Sequence, residues 1–146
     1  MSAAPKTVLH AFVEAVVARD FVRARDQLHP EIDFRGMTPN RIWEASGPQE
    51  VEQALRTWID NPERQVEHIA ATDVTDIEDT MRAGWRVQGD GSGGPFVFEQ
   101  QLYARERDGQ LGWLRVMCTG PRPLGAEAAR AVGGPRLRAD DQHEPA

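Results

Sequence analysis

Apolar residues recur at helical spacing near the start of the chain. Across 7–19, Val8, Phe12, Ala15 and Val16 fall on one face behind Pro5, which predicts a helix. Asp20 can cap a second, short helix over 21–28 that Pro30 ends. The period then changes to two. Ile32-Asp33-Phe34-Arg35 reads as a short strand, 37–40 as a turn and 41–44 as another strand. Ser46-Gly47-Pro48-Gln49 predicts a helix start, with Ser46 capping and Gln49 reaching back. Val51, Leu55, Trp58 and Ile59 form the apolar face of that helix, and Pro62 stops it. Strands follow over 65–74 and 80–88, joined to a terminal pair of strands through the turn 89–94.

The terminal pair, 96–120, carries the sharpest pattern. Phe96, Phe98, Leu102 and Ala104 share a face broken only by Gln100, and Gly112, Leu114, Val116 and Cys118 share a face on the second strand. A two-residue Asp108-Gly109 turn would pair Tyr103 with Leu114 and set these faces on opposite sides. A three-residue loop, Arg107-Asp108-Gly109, sets them together. It pairs Leu102 with Leu114, Phe98 with Cys118 and Gln100 with Val116. Glu99, Gln101, Tyr103, Trp113, Arg115 and Met117 line the other face.

Composition narrows the class. A chain of 146 residues suggests one domain with a core that needs no staples. Its boundaries are predicted at 1–123, because 124–146 is Ala, Gly, Pro and Arg without apolar period and reads as a disordered tail. The single cysteine points to a reducing cytoplasm. There is no long apolar run for a membrane and no basic leader. A net charge of −6 argues against nucleic acid and anionic lipid as partners. No His, Cys, Asp or Glu spacing suggests a metal, and the Gly89 to Gly94 run leads into a strand, not the helix a phosphate loop requires, so no cofactor is expected.

Helices first and antiparallel hairpins afterwards imply an α+β domain. The phrases FVEAVVARDFVRARDQLHPEIDF, ASGPQEVEQALRTW and YARERDGQLGWLRVMCTG, in that order over residues 7–120, resemble the NTF2-like superfamily and within it the SnoaL-like proteins. The resemblance implies an NTF2-like (cystatin-like) cone, with three N-terminal helices packed on a curved, mostly antiparallel sheet and a pocket at the open end. It also implies a wide choice of function, from isomerases, cyclases and dehydratases to non-enzymatic binding or dimerisation modules. The ketosteroid isomerases of that superfamily use a tyrosine, an aspartate base and a second acid. The corresponding positions here fall near Phe12, Phe34 and Leu102, none of which can move a proton. A one-residue shift would bring Asp33 to the base position, although alternation favours Ile32 and Phe34 for the core.

Two polar side chains are expected inside the cone. His68 shares the more apolar face of its strand with Val66, Ala70, Thr72 and Val74 and is the candidate catalytic acid or base. Its alternative is a buried neutral histidine held by a neighbour. Gln100 is the candidate to orient a substrate oxygen, in a pocket walled by Phe12, Phe34, Trp85, Leu102, Leu114, Val116 and Cys118. A hydrophobic small molecule is the expected partner. The mixed aromatic, Met and Arg face of Glu99, Gln101, Tyr103, Trp113, Arg115 and Met117 suggests a homodimer interface, and the resemblance implies the same. Two functions stay open: proton transfer on a hydrophobic carbonyl compound, or a non-catalytic ligand-binding or dimerisation module. An acid and base inside the pocket would favour the first, and a filled cone the second.

Overall fold

The computed structural model describes residues 5–125, so all of the predicted tail except Leu124 and Gly125 lies outside the described residues. Helix α1 (Pro5–Val17) buries Val8, Leu9, Phe12, Val13, Ala15 and Val16. This is the stripe expected of a helix lying on a sheet. Asp20 caps α2 (Phe21–Arg25) by accepting from the Arg23 N–H. That helix stops short of Leu28, which instead opens β1 (Leu28–Thr38) and is buried there. A hairpin leads into β2 (Arg41–Ser46). Helix α3 (Pro48–Ile59) follows, burying Val51, Ala54, Leu55, Trp58 and Ile59. Its cap differs from the predicted one. Gly47 occupies the N-cap, and Glu50, not Gln49, accepts from the Ser46 N–H at 2.8 Å. The start has moved one residue along the chain, and Gly47 has no side chain to cap with, so the reciprocal pair expected of Ser46 and Gln49 is not formed.

The remaining strands are β3 (Arg64–Ala71), β4 (Thr75–Ile77), β5 (Thr80–Gly91), β6 (Gly94–Arg107), β7 (Gln110–Cys118) and β8 (Arg122–Pro123). They form one sheet in the order β2-β1-β7-β6-β5-β3, with β4 added to β5 and β8 to β6. All pairings are antiparallel except β1 with β7. The architecture is α+β, with three helices on a mixed, mostly antiparallel sheet, and α1 lies against β3, β5, β6 and β7. The core sits between helices and sheet. From the sheet it takes Phe34, Met81, Ala83, Trp85, Val87, Phe96, Phe98, Leu102, Ala104, Leu111, Leu114 and Val116.

Two bulges decide which side chains reach that core. At the terminal hairpin the turn is the two-residue one. Asp108 and Gly109 have φ of 54° and 82° between the paired Arg107 and Gln110, as a type I′ turn requires. The expected three-residue loop is therefore corrected. Gly112 is left over between the pairs Glu106–Leu111 and Arg105–Trp113. This extra residue shifts the alternation by one and returns the apolar faces to the same side. Leu111 takes the inward place expected for Gly112. The register is displaced accordingly: Leu102 pairs with Val116, Ala104 with Leu114, Gln100 with Cys118, Gln101 with Met117 and Tyr103 with Arg115.

The second bulge lies in β3. Val66 pairs with Gly89 and His68 with Gln88, which leaves Glu67 as the extra residue. Val66 is buried, and beyond the bulge Ile69 packs on the core opposite Val87. His68 and Ala70 therefore turn to the other side of the sheet, and the inward orientation expected for His68 is corrected. Gly89 makes the close approach possible, because a Cβ there would lie 2.1 Å from the Gln65 carbonyl oxygen. Arg19 Nη2 donates to the Val66 carbonyl at 2.7 Å and ties the bulge to the end of α1.

Candidate functional site

The centre of the cone is filled. Phe12 and Trp85 meet with ring centroids 6.3 Å apart, and Leu102, Leu114 and Val116 close around them, all fully buried. Gln100 is 1% exposed, and its Oε1 accepts from Trp85 Nε1 at 2.7 Å. An indole N–H only donates, so that bond fixes which end of the amide faces Trp85. Gln100 Nε2 has no hydrogen-bond acceptor among the described residues; across the strand pair its neighbour is Cys118. The carbonyl end is thus used inside the fold, and the Nε2 donor expected to orient a substrate oxygen is buried with it. Phe12, Phe34, Trp85, Gln100, Leu102, Leu114 and Val116 do come together, as a packed layer. Phe34 is buried, whereas Asp33 is exposed and its Oδ1 lies 3.2 Å from Arg115 Nη1 on the outer face. The alternation that points Phe34 inward leaves Asp33 no access to the core.

Space opens instead at the end of the cone formed by the last residues of β1, α3 and β7. A cleft of about 150 Å³ lies there. Its aromatic walls are Trp43 from β2, Trp58 from α3 and Phe98 from β6, and Cys118 of β7 closes the bottom. Thr38, Pro39, Thr57, Asn61, Arg64, Gly120 and Pro121 form the rim. Trp43 stands edge-on to Trp58 at 5.5 Å, and Phe34 backs Trp58 at 6.2 Å. Gly36 provides the seat, since a Cβ there would lie 2.7 Å from the Trp58 ring. Trp43 Nε1 donates to Thr38 Oγ1 at 2.9 Å, and the Arg41 guanidinium covers the Trp43 ring at 3.6 Å.

Trp58 differs from Trp43 and Trp85. It is 6% exposed, and no group in the described residues accepts from its Nε1–H. Arg64 has no carboxylate within ion-pairing distance among the described residues. No acidic side chain lines the cleft. Burial pushes the Cys118 thiol above the ordinary value of 9.0. The Gly120 N–H, the Gln100 amide and the Arg64 charge pull it the other way without cancelling the effect. The thiol is therefore neutral at physiological pH.

The alternation argument brings Cys118 to the cleft. Trp43 and Trp58 read from the sequence as core or pocket wall, and they do line it; Arg64 carries no such signal in the sequence. His68 lies beside Gln88, Pro95 and Leu124, far from the cleft lining. Larger concavities exist elsewhere, including one of about 280 Å³ that His68 lines with Glu67, Gln88 and Asp90. One of about 610 Å³ runs over β1 and β2 past Asp33, Arg35, Glu44 and Ser46. Its charges are already paired, Arg35 with Glu44 and Asp33 with Arg115. Among the described residues no three His, Cys, Asp or Glu side chains converge as a metal site would need.

Glu99, Gln101, Tyr103, Trp113, Arg115 and Met117 lie on the outer face of the sheet. Glu99 pairs with Arg86 at 2.7 Å, not with Arg115, because the displaced register carries Arg115 toward Asp33. Trp113 is held between the guanidinium groups of Arg105 and Arg115, 4.0 and 4.6 Å from its ring centre.

No family model and no curated protein matches the chain. Solved structures do match. An NTF2-like protein from Burkholderia thailandensis superposes with a TM-score of 0.67 at 15% identity, over 80% of this chain and 91% of its own. A protein of ketosteroid isomerase-like fold from Catenulispora acidiphila, solved in complex with trimethylamine, gives 0.58 at 12% identity over 75% and 82%. An NTF2-like protein of unknown function from Cytophaga hutchinsonii gives 0.59 at 10% identity over 79% and 99%. With a filled cone, a mixed sheet wrapped on α1 and these neighbours, the chain has the NTF2-like, ketosteroid isomerase-like fold.

Proposed function

We propose that this is a SnoaL-like small-molecule-binding protein that holds a compact ligand in the cleft at the mouth of the cone and performs no proton transfer on it. One observation carries the reading. The titratable side chains at the cleft are Arg64 and a neutral Cys118, while Phe12, Phe34 and Leu102 occupy the interior positions where acid–base groups would act. A general base must reach the proton it removes, and His68 is on the wrong side of β3. The cleft volume supports a ligand the size of one ring, well below the roughly 300–1,000 Å³ of sites that take drug-sized molecules. None of the helices among the described residues is long and apolar enough to cross a membrane. A cytoplasmic setting fits the single thiol. The test is α-proton exchange of small cyclic ketones and enones in D2O, followed by NMR. The expected rate equals that of buffer. Acceleration that survives His68→Ala but not a change in the cleft would replace binding by catalysis there.

A second reading, homodimerisation, rests on a separate observation. Ile42, Met37 and Met117 form one row across β2, β1 and β7 and are 67, 42 and 56% exposed. An apolar row beside Trp113 and Tyr103 is a surface that a monomer rarely leaves wet. The wild type is expected to sediment as a dimer at tens of micromolar, and Met117→Asp as a monomer. A monomeric wild type overturns the reading.

A further inference from the structure

The cleft adjoins a second concavity, and the pair selects among ligands. Resting on the binding reading above, we propose that the ring held in the cleft carries a short acidic chain, which passes over Pro121 and sets its anionic end between Arg64 and Arg122 in the adjoining trough.

Continuity is the first argument. A trough of about 470 Å³ lies at the turn that joins β5 to β6. Arg64 and Pro121 line both the trough and the cleft, so the two adjoin. Their floors also meet. Phe98 lines the cleft and Phe96 the trough, and the two rings stack with centroids 6.2 Å apart and planes 8° apart. A floor of that kind suits methylene groups, which gain by leaving water. Size is the second argument. A cavity of about 150 Å³ accommodates one benzene-sized ring, and the cleft has that volume. Anything beyond the ring must leave past the rim, and Arg64 and Pro121 are the rim residues that lead into more space. The third argument is charge. Arg64 of β3 and Arg122 of β8 both line the trough. Neither has a carboxylate within ion-pairing distance among the described residues. Glu63 is the one acid among the residues lining the trough, so two guanidinium groups face a single carboxylate there, in a chain of net charge −6. Each guanidinium presents a planar fork of donors that fits an oxyanion. The anionic end stays among these forks and water, which spares it the cost of entering the aromatic walls.

Phenylacetate, 3-phenylpropanoate and 4-phenylbutanoate vary the chain, their amides remove the charge, and butanoate removes the ring. Binding to the full chain is read by titration of tryptophan fluorescence. Affinity is expected to rise along the acid series. The best acid should bind about tenfold more tightly than its own amide, the margin of two exposed ion pairs. Butanoate should bind far more weakly than 4-phenylbutanoate. Arg64→Gln and Arg122→Gln should each cost that acid about threefold and leave its amide unchanged. Both variants should fold, since neither arginine belongs to an ion pair of the described residues. Equal binding of acid and amide, an acid preference that survives Arg122→Gln, affinity that does not change with chain length, or butanoate bound as tightly as 4-phenylbutanoate overturns the proposal. Each of these outcomes leaves the cleft as a binding site wherever the amides bind. Failure of every acid and amide up to millimolar concentration overturns the binding reading itself, and this assignment with it.

Discussion

The middle of the cone and its mouth are built from similar parts and end in opposite states. Each has a buried indole, a nearby phenylalanine and a polar group on the β6–β7 pair. In the middle, Trp85 Nε1 finds Gln100 Oε1 at 2.7 Å and the layer closes around them. At the mouth, Trp58 Nε1 has no acceptor among the described residues, and the residue lines a cleft of about 150 Å³. A satisfied buried donor belongs to the fold. An unsatisfied one is a cost that the rest of the structure carries, and sites that recognise ligands are where such costs persist. The middle keeps one unmet donor of its own, Gln100 Nε2, but it is sealed in the packed layer, and the residues at the expected acid–base positions, Phe12, Phe34 and Leu102, have no polar group to offer.

The sharpest way to break this comparison is Gln100→Leu. The side chain is of similar size, but Trp85 loses its acceptor. The expected loss is about 1–3 kcal/mol of stability, read by chemical denaturation with an unchanged slope. Loss of less than half a kcal/mol would mean that the pair contributes nothing, and the two indoles would then be equivalent. Trp58→Phe comes next, with a smaller effect of about 1 kcal/mol or less, roughly 4 °C in melting temperature for a domain of this size. Some packing against Gly36 is lost, but the orphan donor goes with it. A cost above that of Gln100→Leu would show that Trp58 is structural.

The smallest effect is chemical. Burial holds the Cys118 thiol above 9.0, so iodoacetamide should label it more slowly than a free cysteine at pH 7.5. The rate should still be rising at pH 9, because thiolate is the reactive form. A group whose folded pKa is raised gives stability that is present below its unfolded value and lost as pH rises through the folded value. Cys118→Ala should therefore flatten the alkaline end of the stability profile. Rapid labelling that has levelled off by pH 8 would place the thiol in water and open the bottom of the cleft.

The period of the apolar residues by itself determined the helices, the inner face of the terminal hairpin and the hydrocarbon character of Phe12, Phe34 and Leu102. These follow from local geometry, since side chains repeat every 3.6 residues in a helix and every two in a strand wherever the element lies. The sequence also contained the hairpin turn, in Asp108-Gly109, but not the Gly112 bulge that makes that turn compatible with the facing strands. The same holds at Glu67, where one extra residue turns His68 away from the core. A bulge leaves no periodic trace. It is stabilised by distant groups, here Gly89, which gives way to the Gln65 carbonyl, and Arg19, which reaches the Val66 carbonyl from the end of α1. The cleft is further still from local pattern. Trp43, Trp58, Arg64, Phe98 and Cys118 come from five separate elements. That no group among the described residues accepts from Trp58 Nε1 depends on what packing brings beside it, and only the tertiary structure decides that.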